Sequence, residues 1–373
     1  MYGARWDQPN GCNSNQLSSE KDMVVAQYTV RTLDPEDEGE VLRLLQMSLG
    51  DGPSGGRQPS YWHWKHVTNY FGQSYARVAC DEGGQLIGMR AFMQWELTSS
   101  EKTIRAVRAV DTATHPDCRR MGIFSTLTRQ VVNDVTSDGV SVIFNSPNND
   151  VLPGYLKLGW HHVTIIHPMI KVLNYPAFTL GLVRNKLGSP ASGPHGSEGF
   201  FRDKPSSVAE LLERRWAVEH LVEQNEQTWL HPESFRTRRS WDYLSWRYAQ
   251  HPTIPYYAAS LEHQGRIEGC AIFRTNTRFG LKELVLCELL LSEPTQDLAA
   301  RLLNEVRSLT RADYLITFFP ESTFQRAALN KLGFRPVPRR GMNFAVNPLA
   351  SDWSTDPLRF GNWGLTMGDL ELF

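Results

Sequence analysis

A basic turn between two apolar stretches has the residue types of an anion-binding site. Arg119, Arg120 and Gly122 follow a stretch rich in valine, alanine and threonine, and they precede a helical pattern. Glycine lets the main chain come close to a phosphate, while the first turn of a helix offers free N–H groups and the positive end of the helix dipole. Because these donors converge on one spot, the sequence predicts an anion site at this turn.

Three elements must position the turn. Residues 104–114 have the composition of a strand, which Pro116 ends because proline cannot donate to a strand ladder. A second strand is predicted at the apolar residues 140–144. An amphipathic helix packed on a sheet is predicted between them, since four apolar residues recur at intervals of four: Ile123, Leu127, Val131 and Val135.

A later motif gives the turn a more specific interpretation. Asn148 precedes a short helical segment that contains Tyr155, and residues 158–160 read Leu-Gly-Trp. The two motifs, in this order and with an apolar strand between them, resemble the acetyl-CoA-binding core of the GNAT superfamily of N-acetyltransferases. The turn at residues 119–124 resembles that of the enhanced-intracellular-survival acetyltransferases, because Phe124 stands where most of the superfamily has glycine or alanine.

The resemblance implies an acyl-CoA site. In the superfamily the pantetheine arm lies between two splayed parallel strands, which here are residues 110–114 and 140–144. The acyl carbonyl contacts the main chain of the first strand, and the pyrophosphate lies on the turn. The residues that would hold acetyl-CoA or another acyl-CoA, with no metal, are therefore Thr112, Ala113, Thr114, Arg119, Arg120, Met121, Gly122, Ile123, Phe124, Ser125 and Asn148.

Three residues are candidates for proton transfer. By resemblance Tyr155 is the acid that protonates the departing sulfur, although it also fits a core tyrosine with a satisfied hydroxyl. Asp111 is the carboxylate on the key strand and a candidate base, or else the ion-pair partner of Arg105 or Arg108. The resemblance also implies a base at the terminal carboxylate of Phe373, whereas docking of this apolar end on the core is the alternative.

The second half of the chain repeats the first. Residues 61–65 and 243–247 share an aromatic and basic pattern, Gly88 corresponds to Gly269, and residues 332–334 read Leu-Gly-Phe. The repeat predicts an α+β fold of two tandem GNAT-like domains, each a mixed, mostly antiparallel twisted sheet flanked by helices. The domains are predicted at residues 23–170 and 236–373, with a tail at 1–22 and a linker with a helix at 171–235.

The second copy lacks the basic turn. Residues 288–295 are predicted as an acidic loop, which would repel a pyrophosphate. We therefore expect the first copy to bind the cofactor and the second copy to shape the acceptor site.

Composition limits the partners. The 373 residues carry a net charge of −1, so no overall field attracts nucleic acid or an anionic membrane. No apolar run approaches the roughly 20 residues of a membrane span, the first 20 residues have no signal-peptide core, and five scattered cysteines favour a reduced, cytoplasmic protein.

These features predict transfer of an acetyl group from acetyl-CoA to a small-molecule amine in a ternary complex. Two alternatives stay open at this stage. One is an acyl-CoA-binding protein without catalysis. The other is a GNAT fold with different chemistry, such as acyl-CoA decarboxylation or aminoacyl transfer.

Overall fold

The computed structural model of the chain describes residues 28–50, 58–100, 102–186, 199–227, 229–337 and 341–370. Helices and strands follow each other in nearly the same order twice. The first half contains β1 (Thr29–Thr32), α1 (Glu38–Leu49), α2 (Pro59–Trp62), a π-helix (His63–Val67), β2 (Tyr75–Cys80), β3 (Leu86–Ser99), β4 (Lys102–Thr114), α3 (Ile123–Ser137), β5 (Val142–Asn145), α4 (Leu152–Leu156) and β6 (His161–Ile166).

Before its own π-helix the second half has two more α-helices and one more strand than the first half. It contains β7 (Met169–Val172), α5 (Tyr175–Lys186), β8 (Ser206–Ser207), α6 (Val208–Leu212), α7 (Arg215–Glu226), α8 (Trp241–Leu244), a π-helix (Ser245–Ala249), β9 (Tyr257–His263), β10 (Arg266–Arg278), β11 (Leu281–Leu291), α9 (Gln296–Leu309), β12 (Tyr314–Thr317), α10 (Phe324–Lys331), β13 (Arg335–Pro336), β14 (Met342–Pro348) and α11 (Met367–Leu370).

The strands form two seven-stranded sheets, ordered β1-β2-β3-β4-β5-β14-β6 and β13-β7-β12-β11-β10-β9-β8. Only β4 with β5 and β11 with β12 are parallel among the described pairs, and the other pairs are antiparallel. This confirms the predicted fold of two mixed, mostly antiparallel sheets flanked by helices.

The two sheets exchange one strand each. β14 comes from the end of the second half, yet it lies in the first sheet between β5 and β6. β7 directly follows β6, yet it lies in the second sheet between β12 and β13. Neither sheet is therefore built from one continuous segment, and the domain boundaries given above stay predictions.

The two π-helices pack against each other at the centre of the molecule. The rings of Trp64 and Trp246 stack with centroids 5.1 Å apart. Each indole also donates to the main chain of the other copy, Trp64 to the Trp246 carbonyl at 2.7 Å and Trp246 to the Trp64 carbonyl at 3.1 Å. This reciprocal contact relates the two copies by a local pseudo-twofold axis, and it agrees with the aromatic repeat in the sequence.

A buried histidine at this contact makes the fold sensitive to acid. His251 lies 4.3 Å from the Trp64 ring, and its Nδ1 accepts hydrogen bonds from the main-chain N–H groups of Thr253 and Ile254. Burial, followed by the charges of Arg247 and other nearby cations, lowers the pKa of His251 from 6.5 to about 2. The folded protein therefore keeps this ring neutral at a pH where the unfolded chain protonates it.

We expect this histidine to cost stability below pH 6.5. A folded pKa below the unfolded one leaves stability intact above pH 6.5 and removes it as the pH falls, by about 2 kcal/mol between pH 7 and pH 5. His251→Asn retains an acceptor for the two N–H groups but does not titrate. Urea unfolding at both pH values should show the extra loss in the wild type only, and equal losses would contradict the assignment.

Candidate active site

β4 and β5 run side by side for three residue pairs, and β5 ends one residue later. The pairs extend from Ala106 with Val142 to Arg108 with Phe144. β4 continues for six more residues to Thr114, but it forms no further residue pairs with β5. β5 ends at Asn145, so residues 109–114 of β4 have no parallel partner in β5, and the space beside them is called the strand opening.

The turn after β4 presents its main chain to solvent. Arg120 and Gly122 both have left-handed backbone angles, with φ of 69° and 78°. Gly122 is the N-cap of α3, and it has no side chain that could accept from the first N–H groups of the helix. Arg119, Arg120 and Gly122 are exposed. The free donors and the two cations are thus available to an anion, as the sequence predicts.

Close packing fixes the start of α3. The four apolar residues predicted to face the sheet are at most 1% exposed: Ile123, Leu127, Val131 and Val135. Gly88 on β3 permits this contact, because a Cβ atom there would lie only 2.4 Å from Cγ2 of Ile123. The sheet therefore sets the position of the turn through the first residue of the helix.

Tyr155 is buried beside the strand opening. Its side chain is 3% exposed, and its hydroxyl oxygen accepts a hydrogen bond from Nη2 of Arg90 at 2.5 Å. Nη1 of the same guanidinium donates to the Val110 carbonyl on β4 at 3.0 Å. The Tyr155 hydroxyl thus has a hydrogen-bond partner, as expected of a core tyrosine. The same Arg90 guanidinium also links that hydroxyl to β4, the strand beside which a catalytic tyrosine should lie.

The other predicted cofactor residues have varied surroundings. Asn148 is exposed, and its Oδ1 accepts from the N–H groups of Asp150 and Val151 at 3.1 Å, so its side chain orders the turn before α4. Ala113 is 4% exposed and packs in the core, whereas Thr112 and Thr114 are half-buried. Met121 and Ser125 are half-buried beside the turn.

Asp111 pairs with residues that the sequence did not indicate. Its Oδ2 lies 2.7 Å from Nζ of Lys65 and 2.8 Å from Nε2 of His66, rather than beside Arg105 or Arg108. Burial alone would raise the pKa of Asp111, but the Lys65 charge and the His66 hydrogen bond outweigh it and hold that pKa well below 3.8. A carboxylate stabilised in this way is a weak proton acceptor.

The end of the described chain reaches the same strand. Arg108 of β4 is 4% exposed and donates to the main-chain carbonyl of Asp369. Burial, opposed by the charges of Asp369 and Tyr243, lowers the pKa of Arg108 to about 9. Phe373 lies outside the described residues.

The second copy has different residues at the positions that correspond to Asp111 and to the basic turn. By strand register Glu288 takes the place of Asp111, and it lies on β11 rather than in the predicted loop, because the strand extends to Leu291. Its carboxylate is 2% exposed and pairs with Arg239 at 2.8 Å. The N-cap of α9 is Thr295, whose hydroxyl accepts from the N–H of Leu298. An acidic, self-capped helix start is a poor anion site.

Two residues of the site escaped sequence reasoning. Arg90 lies in the apolar sequence Gly-Met-Arg-Ala-Phe, and a lone cation in a buried strand was the available signal. Lys65 belongs to an aromatic and basic stretch, and packing in the core explains such a stretch without a functional role. Within the residues that the structure describes, no group of histidine, cysteine, aspartate and glutamate is arranged to hold a metal ion, and no helix is both long and apolar enough to span a membrane.

Comparison with known proteins agrees with this geometry. A family profile described as an acetyltransferase (GNAT) domain matches residues 29–163, which include the strand opening, the basic turn and Tyr155. No curated protein sequence matches the chain.

Solved structures resemble the chain over most of its length. One is a conserved protein of unknown function from Enterococcus faecalis, described as a probable N-acyltransferase, with a TM-score of 0.59 and 14% identity over 87% of this chain and 72% of that one. GCN5-related N-acetyltransferases from Anabaena variabilis and Kribbella flavida have TM-scores of 0.58 and 0.53 and identities of 9% and 12%. Each covers 87% of this chain, with 73% and 71% of the other chain matched. Residues 29–163 therefore match the model of a GNAT acetyltransferase domain, and the chain shares the fold of these three proteins over most of its length.

Proposed function

We propose that this protein transfers an acyl group, most directly the acetyl group of acetyl-CoA, to the amine of a small molecule by direct attack in a ternary complex. One observation carries the proposal: a glycine-capped helix with two exposed arginines follows a strand that extends six residues beyond its last pair with its parallel neighbour. We assign the pyrophosphate to this turn and the pantetheine arm to the part of β4 that β5 leaves unpaired. The second copy has the same strand arrangement, since β11 extends six residues beyond its last pair with parallel β12, but its helix begins at Thr295 without a glycine cap or paired arginines.

The proposed roles follow from position. The main chain of residues 119–125 binds the pyrophosphate, and Asn148 contacts the cofactor from the turn before α4. A main-chain N–H of Thr112, Ala113 or Thr114 polarises the acyl carbonyl as negative charge develops on its oxygen. Tyr155 gives a proton to the departing sulfur. Because its pKa is so low, Asp111 acts by holding Lys65 and His66 in place rather than as the base.

Acyl transfer is tested by following thiol release from acetyl-CoA in the presence of a panel of amino sugars and amino acid derivatives. We expect release with at least one amine, together with the matching N-acetyl product by mass spectrometry. CoA binding without release for any amine would instead support the non-catalytic alternative. Loss of CO₂ from malonyl-CoA without an amine would support the decarboxylase alternative.

Tyr155→Phe tests the proposed acid. Removing a general acid should lower kcat by about 100-fold, since proton transfer at a thiolate contributes on this scale. The dissociation constant for acetyl-CoA should change little, because the ring and its packing remain. Tyr75→Phe is the matched control, since Tyr75 lies on β2 and its hydroxyl donates to exposed Asp138 at the end of α3. Full activity of Tyr155→Phe would leave this residue as a core tyrosine.

A further inference from the structure

A cation in the core of the first domain lacks an acidic partner. Arg90 is 0% exposed, and none of the ion pairs among the described residues includes it. Its hydrogen bonds go to two neutral oxygens, the Tyr155 hydroxyl and the Val110 carbonyl, while its buried Nε has no partner in the described part of the chain. A buried charge that is not neutralised costs several kcal/mol, so such a residue calls for a functional explanation.

Aromatic rings keep this guanidinium away from water. Its Cζ lies 4.8 Å from the Phe92 ring centroid, 5.2 Å from that of Tyr155 and 5.7 Å from that of Phe124. The Phe124 and Tyr155 rings also meet edge to face, with centroids 5.6 Å apart. In a dry site of low dielectric, a positive charge acts strongly on any negative charge that forms beside it.

Phe124 is the residue at which the turn departs from the small residue typical of the superfamily. It lies in the first turn of α3, where it covers the pair formed by Arg90 and Tyr155. A Cβ at Gly154 would lie 3.1 Å from the Phe124 ring, so α4 accommodates this ring through a glycine. The large side chain thus joins the phosphate-binding turn to the surroundings of the tyrosine.

We infer that Arg90 is a positioning residue that acts through Tyr155: it holds the hydroxyl at the strand opening and stabilises the phenolate that forms when Tyr155 protonates the CoA sulfur, with Phe124 excluding water. This inference rests on the proposed acyl transfer. In that step the neutral amine nitrogen bonds to the acyl carbon, the carbon–sulfur bond breaks and the nitrogen gives up one proton to solvent. The sulfur keeps the electron pair of the broken bond and takes the Tyr155 proton, and the phenolate regains a proton from solvent after CoA leaves.

A double-mutant cycle separates this role from a structural one. Arg90→Met removes the charge while keeping most of the volume, so the variant should fold as stably as the wild type. We expect Arg90→Met to lower kcat about 10- to 100-fold with the acetyl-CoA dissociation constant nearly unchanged. The combined Arg90→Met and Tyr155→Phe variant should be no slower than Tyr155→Phe alone, because Arg90 has then lost the group through which it acts.

Three results would overturn the inference. The first is that the two substitutions lower kcat independently, so that their effects multiply in the double variant. The second is that Arg90→Met weakens acetyl-CoA binding as much as it lowers kcat. The third is that Arg90→Met is fully active although Tyr155→Phe is slow. Each leaves the proposed function standing, since the wild type and Tyr155→Phe report on that separately. Absence of acyl transfer in the wild type would reject the proposed function itself.

Phe124→Ala leaves Arg90 in place but admits water to the pair formed by Arg90 and Tyr155, so this variant should also have a lower kcat than the wild type.

Discussion

An Asp111→Ala variant should lose about 3–5 kcal/mol of unfolding free energy, because the change leaves the Lys65 ammonium and the His66 ring buried without their carboxylate. The side chains of Lys65 and His66 are 4% and 3% exposed. Because the pKa of Asp111 lies well below 3.8, its contribution is present above pH 3.8 and is lost only as the pH falls through the lower, folded value. Denaturant unfolding at pH 7 therefore measures the full effect.

A surface pair supplies the matched control. Asp134 binds Arg77 at 2.7 Å, but these side chains are 30% and 26% exposed. Asp134→Ala should cost no more than about 1 kcal/mol, since solvent screens such a pair. Adding Lys65→Met to Asp111→Ala should recover part of the lost stability, because one uncompensated charge disappears. Equal losses for the two aspartates would show that Asp111 does not organise this cluster.

A second large effect is expected at Gly88. In Gly88→Ala the new methyl would lie 2.4 Å from Cγ2 of Ile123, so α3 must move away from the sheet. Overpacking of this kind costs about 1–3 kcal/mol. Because Ile123 directly follows Gly122, the displacement also moves the phosphate-binding turn. We therefore expect a lower Tm and weaker binding of CoA in the same variant.

The repeat provides the control for this change. Gly269 occupies the equivalent position on β10, but there a Cβ would meet its nearest neighbour, Leu302, at 3.3 Å. Gly269→Ala should lower Tm less and leave CoA affinity unchanged. Combining Gly88→Ala with Ile123→Ala removes the clashing atom and should restore CoA affinity in part. If Gly88→Ala bound CoA as the wild type does, close packing of the helix would not position the turn.

Local sequence patterns were sufficient to predict the parts of the site that one segment builds. The strand, the turn and α3 lie within the 36 consecutive residues 102–137, and the spacing of their apolar residues predicts them. The aromatic repeat likewise predicted the second copy. The partners of Asp111 could not be predicted in this way, because Lys65 lies 46 residues earlier on an element whose packing no local pattern reports.

The exchange of strands is a property of the whole molecule. β14 has a largely apolar sequence that does not indicate its sheet, and its place between β5 and β6 depends on pairing with two strands much earlier in the chain. The partner of Arg90 could not be predicted from local sequence either. Arg90 donates to Tyr155, which lies 65 residues later in the chain, and only the structure brings the two together.

The most direct test of the account is calorimetric titration of CoA into the wild type and into a variant with both Arg119→Glu and Arg120→Glu. We predict one binding site per chain in the wild type and affinity at least about 100-fold lower in the variant, since two charge-assisted contacts to the pyrophosphate become repulsive. Glu293→Arg, at the corresponding turn of the second copy, should change neither affinity nor stoichiometry. Unchanged affinity after reversal of both arginines would contradict the account.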